Sequence, residues 1–204
     1  MEFYEAVAKR RTVREFQSIA VEPEKIRRVL EAGLTAPSNG HQKYWEFILL
    51  KDPEQRREAV VNALKSRDLR DKAEIEKVVA SFSNETLKEV YRKALPLQLT
   101  MMLTAPELLI VCYKMRPLGE VKTLFQMNPL ASVWMCIENI MLALAAEGLY
   151  GCTYTPYEAD GLKTHLGVPA GYEVAAVIPF GYPSIVPAAN EQEALEPRLH
   201  IDRW

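Results

Sequence analysis

Cysteine is scarce and unpatterned in this chain. Cys112, Cys136 and Cys152 are odd in number and never stand at C-x-x-C spacing. That removes a zinc framework and a disulfide scaffold, and it suits a reducing cytoplasm. Histidine is as sparse: His41, His165 and His200 lie far apart, each reading as a surface or hydrogen-bonded structural residue. No nucleophile–base pair stands out around them, and Cys152 reads as a small apolar residue. A G-x-G-x-x-G phosphate loop is missing. Positive charge is not in excess, since 25 Lys and Arg face 27 Asp and Glu for a net charge of −2; a general nucleic-acid binder is not expected. No stretch holds eighteen uninterrupted apolar residues, and the N-terminus has no hydrophobic signal core. Neither a membrane span nor export is therefore expected. Repeats and low-complexity segments are absent too, leaving one domain over residues 1–204 with a polar tail from about 184.

What the chain does have is Arg10-Arg11-Thr12-Val13-Arg14, three guanidinium groups within five residues. Guanidinium is planar, permanently charged and able to grip a phosphate through two parallel hydrogen bonds. The cluster follows a short amphipathic helix signal at Phe3, Ala6 and Val7 and leads into extended chain. On a near-neutral protein it is a local device, although a basic run by itself is more often a solvated surface patch.

Downstream, Pro23 and Glu24 open a helix carried by Ile26, Val29, Leu30 and Gly33 and stopped at Ala36-Pro37. The turn Pro37-Ser38-Asn39-Gly40 precedes a short buried strand at Phe47–Leu50. Residues 53–95 are charged and predict two or three surface helices broken near Ser81–Asn84, a solvated helical layer. Leu108–Tyr113 predicts a strand buried on both faces. Pro129–Glu147 is the strongest helix and is apolar almost all round, which asks for burial all round; a partner subunit can supply the extra cover. After Gly148 and Gly151 come extended chain at Cys152–Pro156, a helix over Glu158–Leu166 and a strand over Val174–Ile178. Trp204, at the end of the tail, is a residue an extended arm would bury on another surface.

These pieces resemble the FMN-dependent nitroreductase superfamily. Arg10-Arg11-Thr12-Val13-Arg14-x-Phe16 matches its R-R-[ST]-x-R-x-[FY] signature, Ala36-Pro37-Ser38 its A-P-S turn, and Trp45 and Phe47 its W-x-F places. Gly148-Leu149 and Gly181-Tyr182-Pro183 match its A-x-G-L and G-Y-P elements. Each match is weak alone, but all stand in register along almost the whole chain. His41 three residues after Ser38, Thr153-x-Thr155-Pro156 and Leu166-Gly167-x-Pro169-Ala170 are most similar to the iodotyrosine deiodinase and BluB-like flavin-destructase side. Two departures stand out. Lys43-Tyr44 replaces the usual Gln/Glu-Pro, and no Glu stands four residues before Tyr91 to complete the deiodinase substrate clamp with Lys93.

The resemblance implies an α+β, three-layer α/β/α fold with a mixed, mostly antiparallel sheet, in an intertwined homodimer whose C-terminal arm (about 184–204) embraces the partner. FMN would lie at the interface. Arg10 and Arg11 would hold its phosphate and ribityl end, Thr12 would add a contact, and Arg14 would approach the N1/O2 edge. Pro37, Ser38 and Asn39 would come from the other subunit. Thr153, Tyr154 and Thr155 would pass the ring, and Arg198 or Arg203 would complete the phosphate site. Gly40 and His41 would meet the substrate. No protein side chain is assigned as catalytic, because the flavin carries the chemistry. The implied cycle is ping-pong, from NADH or NADPH to a nitroaromatic or quinone-like acceptor. The alternatives are a reductive dehalogenase, a flavin-destructase-like enzyme or a flavin-binding protein without turnover.

Overall fold

The computed structural model describes residues 2–64, 71–156, 159–189 and 194–204. Four strands form one sheet in the order β1-β2-β4-β3: β1 Trp45–Leu49, β2 Glu107–Lys114, β3 Tyr150–Gly151 and β4 Tyr172–Gly181. All three ladders are antiparallel. Among the described residues, the parallel component is the single bridge Thr12–Gly151, so the expected mixing is confined to that contact.

β2 sits between β1 and β4, and its first seven residues are buried. Alternation sends Leu109, Val111 and Tyr113 to one core and Leu108, Ile110 and Cys112 to the other. A register shift between Val111 and Cys112 lets Ala175 and Ala176 both face the first core. Helices cover both faces, which makes the three layers. On the first face lie α2 (Pro23–Leu34) and α6 (Asn128–Ala146). On the second lie α3 (Pro53–Leu64), α4 (Lys72–Val79), α5 (Glu85–Thr104) and α7 (Asp160–Leu166). α1 (Phe3–Lys9) rests against α6.

α2 begins as the sequence reading expects, with Pro23 in its first turn, and it buries Ile26, Val29 and Gly33. Gly33 has a reason to lack a side chain: a Cβ there would stand 2.7 Å from Ile140 Cγ1 and 3.2 Å from Cys136 Sγ. The two helices touch at that point. α6 buries Val133, Cys136, Ile137, Ile140, Met141, Leu144 and Ala145 along one side, while Trp134 and Met135 remain on the surface. Leu124–Ala146 is long and apolar enough to cross a membrane by length and composition; here its buried side packs on the sheet.

Residues 53–95 correct the expectation of a merely solvated layer. α3, α4 and α5 enclose a second core with Ala59, Val60, Ala63, Leu64, Ile75, Val79, Leu95, Leu99 and Met102. α5 also runs through Pro96 to Thr104, because Leu95, Leu99 and Met102 fall on one buried stripe. α7 starts at Asp160; the expected beginning at Glu158 lies outside the described residues. At the loop end of the sheet, Glu107 is 4% exposed and pairs with Lys51 at 2.5 Å. Arg56 donates there to the carbonyls of Leu50, Ala105 and Pro106, and burial pulls its pKa down. A cleft of about 420 Å³ lies beside these groups.

Candidate functional site

The arginine segment leaves α1 at Arg10, whose amide closes the helix on Ala6 O at 2.9 Å. It then runs extended, held at two points. The Val13 amide donates to Gly151 O at 3.1 Å, and the Gln17 amide donates to Tyr182 O at 2.9 Å. Val13 is 2% exposed and acts as the apolar anchor, while Thr12 and Arg14 on either side of it are exposed.

Beyond β3, the chain continues as an outer strand. Cys152 N donates to Pro179 O at 3.2 Å, and Tyr154 exchanges both backbone bonds with Val177 at 2.8 and 2.7 Å. Residues 152 and 154 therefore point their amides at β4. By alternation the amides of Thr153 and Thr155 face the opposite edge, the side on which Gly151 O receives Val13. The arginine segment thus runs along the edge that the amides of Thr153 and Thr155 face, while Tyr154 between them is turned to β4.

The side chains on this edge differ in how far they are spent. Arg10 lies 3.7 Å from Glu138 on α6, both partly exposed, an ion pair of small worth in water. Arg11 Nη1 donates to Ala8 O and Arg10 O, each at 2.7 Å, while its Nε is buried with no partner. A buried donor on a permanent cation is expensive to leave unmade, and a phosphate oxygen would satisfy it. Cys152 is buried, which raises its thiol pKa, and Arg14 pulls against that shift by charge and hydrogen bonding. Tyr154 donates to Ala63 O at 3.4 Å, and burial pushes its phenol up to about 12. Tyr154 is thus a neutral structural tether here, with its ring in the second core.

Pro37–His41 lies elsewhere. It precedes β1, and Asn39 N donates to Ser132 Oγ at 3.1 Å near the start of α6. Ser38 Oγ accepts from Lys43 N at 2.9 Å, so this hydroxyl braces its own turn. Gly40, His41 and Lys43 have φ of 59°, 56° and 48°; the left-handed region is strained for the two non-glycine residues, and such strain collects at functional sites. Behind the turn is a cavity of about 10 Å³ lined in part by Ser38, Asn39, Ser132 and Trp45. The Trp45 indole N–H is buried without a partner, and the space suits one water. Trp45 pairs with Tyr113, whereas Gly151 pairs with Phe180 opposite Glu107. Six residues of β2 separate these levels, about 20 Å. A single chain therefore keeps the turn and the arginine edge at opposite ends of the sheet. Arg198 and Arg203 lie in the exposed arm.

Comparison with known proteins bears directly on this arrangement. The family model described as the nitroreductase family matches residues 7–182, from α1 to Tyr182. The chain belongs to the nitroreductase family. Within it, the chain is 28% identical over 186 residues to an iodotyrosine deiodinase of Haliscomenobacter hydrossis, covering 90% of this chain and 80% of that one. It spans 62% of the length of rat and human deiodinases that it also matches. A BluB-like flavoprotein from Clostridium difficile superposes with TM-score 0.78 at 22% identity over 100% of both chains. Iodotyrosine deiodinase bound to FMN and 3-iodo-L-tyrosine superposes with TM-score 0.75 at 20% identity, covering 95% and 96%. Both structural likenesses establish the shared nitroreductase fold.

Sequence reasoning missed the residues that brace the arginine segment and the turn from elsewhere in the fold. Glu138 faces Arg10, Ser132 holds the turn, and Glu22 and Lys25 both hydrogen-bond Tyr182 OH. Ser132 had a signal, as a lone hydroxyl among apolar neighbours. The others are joined only by the fold.

Proposed function

We propose that this chain is an FMN-dependent oxidoreductase that uses NADH or NADPH and reduces a small aromatic acceptor, nitroaromatic or quinone-like, by a ping-pong cycle. The observation that carries the reading is the unspent Arg11 Nε within an arginine segment that borders an open strand edge. Bound FMN would supply the hydride chemistry, from reduced nicotinamide to acceptor. Arg10 and Arg11 bind the phosphate and ribityl end, with Thr12 beside them. Arg14 places positive charge near the ring edge that gains negative charge. The edge amides and hydroxyls of Thr153 and Thr155 orient the ring, and Tyr154 holds that strand in place.

The reading includes a homodimer. Pro37, Ser38 and Asn39 reach the ligand from a second copy, which removes the 20 Å problem set by one protomer. Bare apolar side chains support this: Phe3 and Tyr4 on α1, Leu124 and Phe125 before α6, and Trp134 and Met135 on α6 itself. So does the arm, where Leu195, Leu199, Ile201 and Trp204 are all exposed; Arg198 or Arg203 completes the phosphate site from there. Gly40 and His41 contact the acceptor. The three thiols, free and buried, suit the cytoplasm.

A second reading is reductive dehalogenation, favoured by the 28% identity to a deiodinase. Against iodotyrosine itself, Leu87 stands where the clamp would need Glu, and Tyr91 is stacked on Phe82 at 4.5 Å. Initial rates against NADH or NADPH at several quinone concentrations separate the readings. Parallel double-reciprocal lines support the main reading. Halide release from a halophenol that outpaces quinone reduction favours the second. Bound FMN with no nucleotide oxidation by any acceptor leaves a flavin-binding protein and overturns both.

A further inference from the structure

Tyr182 joins several parts of the molecule near the arginine edge. Its hydroxyl donates to Glu22 Oε2 at 2.6 Å and accepts from Lys25 Nζ at 2.7 Å. Lys25 also reaches Glu147 O, just past the end of α6, at 3.3 Å, a favourable place for a cation. Arg28 grips the Glu147 carboxylate with two bonds, at 2.7 and 2.8 Å. Four residues beyond Glu147 comes Gly151, the acceptor for Val13.

The backbone at Tyr182 faces the other end of the arginine segment. Tyr182 O accepts from Gln17 N at 2.9 Å, Pro183 O accepts from Gln17 Nε2 at 2.8 Å, and Ser184 N donates to Glu15 O at 3.0 Å. Phe16 and Pro183 form an antiparallel bridge. The two anchors of residues 13–17 are therefore tied through one polar cluster, made of Glu22, Lys25, Arg28, Glu147 and Tyr182. Removing the hydroxyl would take away both of its hydrogen bonds and leave Glu22 and Lys25 as a 3.9 Å ion pair, with the ring held by the Lys25 ammonium 4.9 Å from its centroid and by packing on the first core.

We propose that Tyr182 is a positioning residue for the phosphate-binding arginines: its hydroxyl, held between Glu22 and Lys25, fixes residues 15–17 and the Val13 anchor, and thereby the reach of Arg10 and Arg11. The inference rests on the flavin reading above and adds a residue that touches no ligand. It separates from simple packing of the Tyr182 ring by what it perturbs. A packing defect loosens the whole site alike, whereas misplaced Arg10 and Arg11 weaken recognition of the phosphate more than that of the ring.

The test compares FMN with riboflavin, which lacks the phosphate, by quenching of flavin fluorescence in the wild type, Tyr182→Phe and Glu22→Gln. Tyr182→Phe is expected to lose about tenfold in FMN affinity while riboflavin stays within about twofold. Glu22→Gln, a change on an exposed helix start that leaves the fold intact, is expected to shift the same ratio by less. Hydrogen exchange supplies a readout that needs no flavin: the Gln17 and Val13 amides are expected to exchange faster in Tyr182→Phe. An unchanged FMN-to-riboflavin ratio in both variants, or equal losses for the two flavins, overturns the inference. So does unchanged exchange at Gln17. A wild type that binds neither flavin while Gln17 exchange still rises in the variant overturns the proposed function and leaves the tether standing.

Discussion

The Val13 amide and the Gly151 carbonyl meet at 3.1 Å, and this bond lays the arginine segment along β3. Gly151 is also where β3 presses closest on its neighbours. A Cβ there would lie 3.0 Å from Pro179 O, 3.2 Å from Phe180 Cβ and 3.4 Å from Leu144 Cδ1. Gly151→Ala therefore asks Pro179 and Phe180 to give by a few tenths of an ångström. The expected cost is about 1–3 kcal/mol, read as a lower urea midpoint at unchanged slope, together with weaker flavin binding. A variant as stable as the wild type would contradict this packing.

Arg10 and Arg14 are surface side chains whose loss should spare the fold. The Arg10–Glu138 pair is solvent-exposed, and such pairs are worth about 0–1 kcal/mol. Arg10→Ala with Arg14→Ala is expected to abolish FMN retention while leaving the dimer and the thermal midpoint almost unchanged. A double variant that purifies as yellow as the wild type would contradict the site assignment.

The arginine segment, the turn at Pro37–Gly40 and the buried Leu108–Tyr113 stretch of β2 were legible because local pattern determines them: charge density, turn chemistry and an unbroken apolar run. The extent of α5 was not. Pro96 is a helix-stopping signal, yet Leu95, Leu99 and Met102 gain enough burial in the second core to carry the helix past it. β3, two residues long, has no period to read. Tyr182 with Lys25 and Arg10 with Glu138 are joined across 157 and 128 positions; nothing local in the sequence marks either pair.

Buried thiols make stability sensitive to alkali. Burial pushes Cys112 up to about 11 and Cys136 up to about 12, from an ordinary value of 9.0. A raised folded pKa means stabilisation present in full below 9.0 and lost as pH climbs toward the folded values, because the unfolded chain releases its protons first. The urea midpoint should hold to about pH 8 and then fall, as the unfolding free energy drops by about 1.4 kcal/mol per thiol for each pH unit above 9.0. Native protein at neutral pH should also resist an aromatic disulfide reagent and titrate three thiols after denaturation. Rapid labelling of the native state would contradict the burial.

The arm carries its apolar residues in the open, with Leu195 65%, Ile201 76% and Trp204 101% exposed. Truncation before Leu195 is expected to weaken dimer and flavin together, measured by sedimentation and flavin fluorescence over a dilution series. A truncated protein that stays a tight, flavin-loaded dimer would remove the arm from the site.

The most direct test of the account is one cuvette. The absorbance spectrum of the purified protein, supplemented with FMN and then desalted, should show the oxidised flavin bands at about 370 and 450 nm, and anaerobic NADH or NADPH should bleach them. A protein that emerges colourless from that treatment would contradict the account at its root, because Arg11 and its neighbours would then hold no flavin.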